Sequence, residues 1–229
     1  MTDDSLPAVE LVVRTIAETA LANESYFCQL DSVVGDGDFG YSLARGFEKV
    51  IDGFDGFDRS SPGAFLKKIG LVIASRVGGT SGPIWGTAFM RAGTAVGDKQ
   101  VLTPQDTVAM LRAAVAGIQA RGGASLGEKT LLDALVPAID CLETHLCANG
   151  AGPDGGVEAL ATAAAVAEKA AAETSRLVAK RGRASYTGDR SIGSPDPGAV
   201  AIAVMACRLS AAWRDYHSKK GATPPCENS

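Results

Sequence analysis

Apolar residues recur three and four positions apart along almost the whole chain, and this spacing restricts the fold more than any other feature of the sequence. In the first such segment the repeat consists of Val9, Val12, Val13, Ile16 and Ala20. Residues at these spacings lie on one face of an α-helix, which can be buried against other helices. Eight segments carry the pattern, and no stretch has a convincing strand pattern. The sequence therefore predicts an all-α protein with eight helices.

Helix starts and stops separate these segments. Ser61-Pro62 combines a capping residue with a first-turn proline, and Thr103 with Asp106 resembles a capping box in which Asp replaces Glu. Residues 1–218 are predicted to form a single domain, and the polar tail 219–229 is predicted to be disordered. The other predicted boundaries are a helix across 43–51, one from near Pro83, a helix end at Gly122-Gly123, and helices across 130–147, 157 to about 180 and 199 to about 216.

Three aspartates lie close together in a glycine-rich loop that follows the first helix. Asp31, Asp36 and Asp38 have no lysine or arginine between them. Because clustered carboxylates repel one another, such a group is usually kept where a hard divalent cation neutralises it. The alternative is an acidic surface turn, in which Asp and Gly are both common. An EF-hand is disfavoured because Ser42 stands at the twelfth position, and oxygen-only ligands in a short set indicate magnesium shared with a phosphate.

A second glycine-rich loop, residues 77–83, joins two predicted helices. It leaves consecutive backbone N–H groups at a helix N-terminus, an arrangement that favours phosphate oxygens. Thr80 and Ser81 add hydroxyl donors to the loop. A flexible connection or a helix C-cap is the alternative interpretation.

Two later loops are also candidates for phosphate binding. Residues 121–130 combine glycines with Lys129, but Glu128 precedes that lysine and no strand precedes the loop, so a P-loop NTPase is disfavoured. Residues 180–198 carry four cations that could pair with a diphosphate, although a basic surface turn remains the alternative. A long segment without secondary structure inside a domain is usually functional.

Composition excludes several classes of protein. With 46% hydrophobic residues and a net charge of -4, the chain is neither disordered nor a nucleic-acid binder. An acidic N-terminus without a signal-peptide pattern, and the lack of any apolar run of membrane-spanning length, predict a cytoplasmic protein that does not contact a membrane. Five cysteines without a CxxC pair, and only two histidines, argue against a zinc site.

Taken in order, four motifs resemble one family: D-x4-D-x-D-x-G from Asp31, GGTSGPIWGT from Gly78, GEKT from Gly127 and KRGRASYTGDRSIGSPDPGA from Lys180. The chain is similar to the nucleotide-binding L subunit of dihydroxyacetone kinase from about residue 30 to the last helix. The resemblance implies an eight-helix antiparallel barrel in which loops at one end hold ADP or ATP.

The resemblance also implies the roles of individual residues. Asp31, Asp36 and Asp38 would bind a pair of magnesium ions that bridge the phosphates, and with Arg183 they are the predicted catalytic residues. Two metal ions and an arginine can offset phosphate charge during phosphoryl transfer. The implied nucleotide contacts are Phe39, Gly40, Tyr41, Ser42, Thr80, Ser81, Gly122, Leu131, Arg183, Asp196, Pro197 and Gly198.

One position departs from the family pattern. Phe39 stands where the family commonly has histidine, immediately after the third aspartate. Phenylalanine can pack or stack but cannot donate a hydrogen bond. The phosphodonor or the details of nucleotide binding are therefore expected to differ from those of the best-known members, while the metal ligands are unaffected.

The expected function is transfer of a phosphoryl group to dihydroxyacetone or a related short ketose that is bound on a separate K subunit. In the family, ADP is either phosphorylated in place by a phosphotransferase-system M subunit or replaced by free ATP, and the sequence leaves this choice open. Two alternatives also remain open, namely an ATP-dependent tetrulose (erythrulose-type) kinase subunit and a nucleotide-binding regulator of a transcription factor. The sequence does not set the oligomeric state, and a homodimer is one option.

Overall fold

Helices account for the regular structure of the protein. The computed structural model describes residues 4–149 and 153–221, and within those ranges it contains nine α-helices and no strand. The prediction of an all-α fold is therefore confirmed. The helices are α1 (Leu6–Ala22), α2 (Glu24–Asp31), α3 (Phe39–Gly53), α4 (Pro62–Arg76), α5 (Ser81–Val96), α6 (Pro104–Gly122), α7 (Leu132–Asn149), α8 (Pro153–Glu173) and α9 (Pro197–Gly221), with 3-10 helices at Phe54–Gly56, Thr174–Arg176 and Arg183–Ser191.

Eight of these helices close into a ring. Helix α1 packs against α3 and α9, and each helix from α3 onward packs against the next one along the chain. Short connections such as 77–80 and 97–103 make sequential neighbours antiparallel. Helix α2 is the additional element, and it packs on α3 and α9. The arrangement is the predicted eight-helix barrel with one extra short helix.

Two helix starts have the local structure that the sequence predicts. At α4 the Ser61 hydroxyl accepts a hydrogen bond from the Ala64 N–H at 3.1 Å. At α6 the Thr103 hydroxyl accepts from the Asp106 N–H, and the Asp106 carboxylate accepts from the Thr103 N–H at 2.9 Å. Such bonds satisfy N–H groups that a helix start otherwise leaves without partners. Both caps follow from a few adjacent residues, which is why they were predictable.

The core is aromatic on one side of the ring and composed of alanines on the other. Phe27, Phe47 and Phe65 are fully buried among the first helices of the chain. Buried alanines from α7, α8 and α9 form a second cluster, which contains Ala134, Ala138, Ala163, Ala167, Ala171, Ala199 and Ala203. Small side chains allow close helix approach but remove less apolar area from water than large ones.

Glycines bring α4 and α5 into near backbone contact. A Cβ atom built at Gly70 would lie 2.7 Å from the Gly86 carbonyl oxygen and 2.5 Å from the Met90 side chain, and one built at Gly63 would lie 2.1 Å from the Gly97 carbonyl oxygen. The two helices can pack this closely only because these positions lack side chains. Beside the loop that connects α4 to α5, a Cβ atom built at Gly82 would lie 2.2 Å from the Val77 carbonyl oxygen, so the two ends of this loop are also closely packed.

The structure adds one helix and changes the predicted ends of others; the alanine-rich helix, for example, begins at Pro153 rather than at 157. Helix α2 was not predicted, because Phe27 is its sole buried residue and eight residues with one apolar anchor give little periodicity. The alanine-rich helix ends at Glu173 rather than near Lys180, and the buried Thr174 begins a 3-10 turn there. Helix α9 continues to Gly221, and residues 222–229 of the predicted disordered tail lie outside the described residues.

None of the helices in the described ranges combines the length and the apolar character needed to cross a bilayer.

The α4–α5 contact gives a first prediction. Gly70→Ala should lower the free energy of unfolding by about 1–2 kcal/mol, because overpacking outweighs the gain of roughly 1 kcal/mol in helix propensity. Gly156→Ala is the matched control, since its Cβ would meet only the Trp213 ring nitrogen at 3.6 Å, and it should be neutral or stabilising. Urea unfolding of both variants measures the difference. Equal stability of the two variants would contradict a close α4–α5 contact.

Candidate functional site

Four helix N-termini surround one cleft of about 680 Å³. The cleft is lined by residues at or just before the first turns of α3, α5, α7 and α9, among them Phe39, Ser81, Leu131 and Pro197. In an antiparallel ring alternate helices begin at the same end, so these four starts lie together. The N–H groups and the positive dipole ends of the helices favour anionic ligands in such a place.

Two of the helices that begin at the cleft, α3 and α5, lack a side-chain cap within the described ranges. Among the described residues, no side chain caps α3 at Asp38 or α5 at Thr80, whereas Ser61 caps α4 and Thr103 caps α6. At α3 the Phe39 N–H donates to the Asp31 carboxylate at 3.3 Å and the Tyr41 N–H donates to the Cys28 sulfur at 3.2 Å, so among the described residues it is the start of α5 that leaves its first N–H groups to an anion. The Thr80 hydroxyl lies beside them and adds a donor.

The three aspartates of the acidic loop converge at the edge of this cleft. Asp31 ends α2, Asp38 precedes α3, and one carboxylate oxygen from each of Asp31, Asp36 and Asp38 lies within 4.8 Å of the others. Gly37, at a φ of 78°, allows the loop to turn sharply between Asp36 and Asp38. A set of carboxylate oxygens fits Mg²⁺ or Ca²⁺ better than a soft metal. The predicted metal ligands are thus brought together.

Arg183 lies against the same carboxylates from the opposite side of the cleft. Its guanidinium forms an ion pair with Asp36 and lies 3.4 Å from the Asp38 carboxylate. The side chain is 59% exposed, so it can also reach a ligand in the cleft. An arginine beside a carboxylate cluster can form paired bonds to phosphate oxygens when metal ions neutralise the carboxylates.

Asp196 caps α9 at the floor of the cleft. Its carboxylate accepts a hydrogen bond from the Ala199 N–H at 2.7 Å, and its own N–H donates to the Thr174 hydroxyl at 2.8 Å. Burial raises the pKa of Asp196 to about 7, although the Ala199 N–H and the Lys129 ammonium act in the opposite direction. Burial also lowers the pKa of Lys129.

A second cavity of about 440 Å³ adjoins the cleft and is mostly apolar. It lies between α5, α6 and the start of α7, and it shares Thr130 and Leu131 with the larger cleft. Its apolar lining consists of Pro83, Ile84, Ile118, Ala124, Leu131 and Leu132. A narrow apolar cavity next to a charged cleft can accept a flat ring whose polar substituent continues into the cleft.

Most of the residues predicted for the site line these two cavities. The larger cleft contains Asp31, Asp36, Asp38, Phe39, Ser42, Thr80, Ser81, Leu131, Arg183, Asp196, Pro197 and Gly198, and Gly122 lines the smaller cavity.

Gly40 and Tyr41 line neither cavity. Gly40 is buried against α2, where a Cβ atom would lie 2.1 Å from the Glu24 carbonyl oxygen. Tyr41 is 55% exposed, with the Arg45 guanidinium 5.3 Å from its ring centroid. Both follow Phe39 at the start of α3, where successive side chains point in different directions around the helix.

Several cleft residues were missed by the sequence analysis. Ile84 and Trp85 lie one turn into α5 and line the cleft. The sequence could have indicated them, because a helix that begins at an anion site also places residues of its second turn near that site. Tyr186 lies at the rim and is 88% exposed. Lys129 was considered in the sequence only as a P-loop candidate, although it lines the floor of the cleft.

The raised pKa of Asp196 gives a prediction about pH dependence. A carboxyl group whose folded pKa is raised from 3.8 to about 7 contributes stability that is complete below the unfolded value and is lost as the pH rises through about 7. Asp196→Asn keeps an oxygen acceptor for the α9 cap and removes the titration. Between pH 5 and 7.5 the wild type should lose about 2 kcal/mol of stability relative to Asp196→Asn. Urea unfolding at several pH values tests this, and parallel curves for the two proteins would contradict it.

Comparison with protein families matches residues 33–211 to the DAK2 domain. The chain is 38% identical over 190 residues to the ADP-binding subunit DhaL of the PEP-dependent dihydroxyacetone kinase of Escherichia coli K12, and the match covers 83% of this chain and 89% of that subunit. It is 36% identical over 196 residues to the L-erythrulose 1-kinase of Mycolicibacterium smegmatis, a match that covers 85% of this chain and 33% of that protein.

The fold is similar to that of the dihydroxyacetone kinase of C. freundii in its crystal structures, both in the native form and in complex with AMP-PNP and Mg²⁺. The TM-score is 0.65 at 25% identity, over 90% of this chain and 34% of that one. The chain thus spans about a third of the length of this kinase and of the erythrulose kinase.

Proposed function

Because this chain belongs to the DAK2 domain family and is related over most of its length to an L subunit of dihydroxyacetone kinase, we propose that it is the magnesium-dependent, nucleotide-binding subunit of such a kinase. The observation that carries the proposal is the convergence, at one cleft, of three carboxylates, an arginine and four helix N-termini. A nucleoside diphosphate with magnesium is complementary to all three features.

In this proposal Asp31, Asp36 and Asp38 hold two magnesium ions at the mouth of the cleft. When bound, the ions neutralise phosphate charge and align the attacking and leaving oxygens. Asp31 also accepts a hydrogen bond from the Phe39 N–H at 3.3 Å, so the start of α3 fixes the orientation of this ligand. The carboxylates would otherwise repel the phosphates that the helix N-termini attract.

The phosphates of ADP or ATP would lie over the starts of α3 and α5, within reach of Thr80, Ser81 and Arg183. The adenine ring would occupy the apolar cavity between α5 and α6, whose lining includes Ile84 and Leu131. Phosphoryl transfer requires little covalent chemistry from the protein, so the residues of the chain act by positioning and by offsetting charge.

The acceptor ketose would be bound by a separate K subunit that presents it to the cleft. Among the described residues that line the two cavities, none is a histidine. We therefore propose that, on this chain, the nucleotide alone carries the phosphoryl group until it passes to the ketose and leaves ADP, with a phosphotransferase-system M subunit as the candidate donor to bound ADP. The E. coli relative is named as the ADP-binding subunit of a PEP-dependent kinase, which supports bound ADP. The C. freundii kinase was crystallised with AMP-PNP and Mg²⁺, which supports ATP. We place the subunit in the cytoplasm with these partners.

A second candidate substrate is a tetrulose. The identity of the chain to a part of the L-erythrulose 1-kinase is 36%, close to its 38% identity to the dihydroxyacetone kinase subunit. Similar relatedness to enzymes with different named substrates supports a role that the substrates have in common, which is nucleotide binding. Selection between dihydroxyacetone and erythrulose is then a property of the partner that holds the ketose.

The metal assignment is tested by Asp36→Asn, which keeps the volume of the side chain and removes its charge. Loss of a metal ligand should weaken Mg²⁺-dependent ADP binding by about 100-fold or more. Isothermal titration with ADP in Mg²⁺ and in EDTA measures the effect. The control is Asp52→Asn, which removes an exposed aspartate paired with Lys49 and should bind as the wild type does. Equal affinity of Asp36→Asn and wild type would rule out the metal site.

The nucleotide assignment is tested on the purified wild-type protein. We expect the chain, purified in Mg²⁺ and then denatured, to release ADP in near-stoichiometric amount, because a diphosphate held by metal ions, Arg183 and helix N-termini dissociates slowly. Chromatography identifies and quantifies the nucleotide. Release of none, together with tight binding of added ATP, would instead indicate a freely exchanging ATP donor. Failure to bind either nucleotide would refute the proposed function.

A further inference from the structure

The ammonium group of Lys129 is buried beneath the cleft and binds three backbone carbonyls. The side chain is 3% exposed, and its Nζ donates to the carbonyl oxygens of Leu177 at 3.3 Å, Ser191 at 2.5 Å and Ser194 at 2.6 Å. An ammonium has three N–H donors. Its hydrogen-bonding capacity is thus filled by the backbone of residues 177–194, and the lysine differs in this respect from the phosphate-binding lysine of a P-loop.

The backbone of Lys129 is held in an unusual conformation. Its φ is 62°, the one positive value among the non-glycine residues that the structure describes. The left-handed region costs a residue with a Cβ atom roughly 1 kcal/mol or more. Such a conformation persists where surrounding contacts hold it, and here the three carbonyls do so. The direction of the Lys129 side chain is therefore determined by the segment that it binds.

Glu128 binds the same segment on the other side of the backbone. Its carbonyl oxygen accepts from the Lys180 N–H at 3.1 Å, and its carboxylate accepts from the Arg181 Nε–H at 2.6 Å. The hydrogen bond from Arg181 lowers the pKa of Glu128, so this pair is charged at neutral pH. The two adjacent residues Glu128 and Lys129 thus contact residues 177–194 at five positions.

These contacts close the base of a loop that carries Arg183. Leu177 lies at one end of the segment, and Ser191 and Ser194 lie at the other, so a single ammonium joins both ends. The Ser191 hydroxyl reinforces the closure by accepting from the Ala179 N–H at 2.9 Å. Between these ends the chain extends over the cleft, where Arg183 meets the Asp36 carboxylate.

We propose that Glu128 and Lys129 are positioning residues that hold Arg183 over the phosphate side of the cleft without contacting the nucleotide. The inference rests on the proposed function, since it takes Arg183 to bind the nucleotide phosphates. It predicts that the lysine acts only through the arginine. Glu128 and Lys129 resemble part of a P-loop sequence, but in this proposal they hold a loop and do not bind phosphate. They also connect the backbone next to Leu131 to residues 177–194.

The test is a double-mutant cycle with Mg²⁺-ADP affinity as its readout. Lys129→Met should weaken binding about tenfold in the wild-type background, because an unanchored Arg183 must be ordered when the nucleotide binds. In an Arg183→Ala background the same change should have less than about twofold effect. Lys169→Met, at an exposed position of α8, is the control for loss of a lysine charge. An equal loss in both backgrounds, or no loss in either, would overturn the proposal.

A second variant and a second measurement keep the proposal testable if Lys129→Met does not fold. Glu128→Gln keeps every backbone contact and weakens the Arg181 pair, and it should reduce affinity about threefold in the wild-type background alone. Wild-type affinity of this variant, when Lys129→Met does not fold, would refute the proposal. Hydrogen exchange without nucleotide should be faster across residues 178–193 in Lys129→Met and unchanged in α4 and α5. This readout is independent of ligand binding, so it separates failure of the inference from failure of the proposed function.

Discussion

Closure of antiparallel helices into a ring forces every second helix to begin at the same end of the molecule, and the site depends on this geometry. The starts of α3, α5, α7 and α9 meet at one cleft, where their N–H groups attract anions. The same end also carries the carboxylates of Asp31, Asp36 and Asp38, which repel anions. These opposing fields are compatible with a phosphate ligand only if cations lie between them, and a magnesium diphosphate meets that condition. The fold therefore favours a ligand in which an anion binds together with cations.

The helices that flank the cleft pack closely against their neighbours. Glycines along α4 and α5 allow these two helices, which flank the loop with Thr80, to approach closely. At the far side of the ring the alanine cluster of α7, α8 and α9 has the same effect with small side chains. Large residues would give more apolar burial but would separate the helices. The large side chains of the first cluster therefore remove more apolar area from water, whereas the alanine cluster allows close helix approach.

The parts of the structure that could be predicted from the sequence are those determined by nearby residues. The caps at Ser61 and Thr103, the helical periodicity and the acidic loop each depend on a few adjacent positions, and each was recognised. Helix α2 was missed because its position is set by packing on α3 and α9 rather than by its own pattern. The role of Lys129 could not be predicted, since its three carbonyl partners lie 48 to 65 positions along the chain. Family resemblance supplied the cleft residues, but it could not separate Gly40, which is buried against α2, from residues that line the cleft.

Phe39 shows how the site can tolerate a change next to its acidic loop. Its ring packs against Phe27, with the ring centroids 6.1 Å apart, while its N–H donates to the Asp31 carboxylate. The contact from the residue 39 N–H to Asp31, a proposed metal ligand, does not depend on the side chain at position 39, so phenylalanine in place of the family histidine keeps this contact. The ring instead adds apolar contact between α2 and α3 and removes one hydrogen-bond donor from the edge of the cleft. Any effect of this replacement should therefore fall on the nucleotide or on the approaching donor, because the contact from residue 39 to Asp31 is made by the main chain.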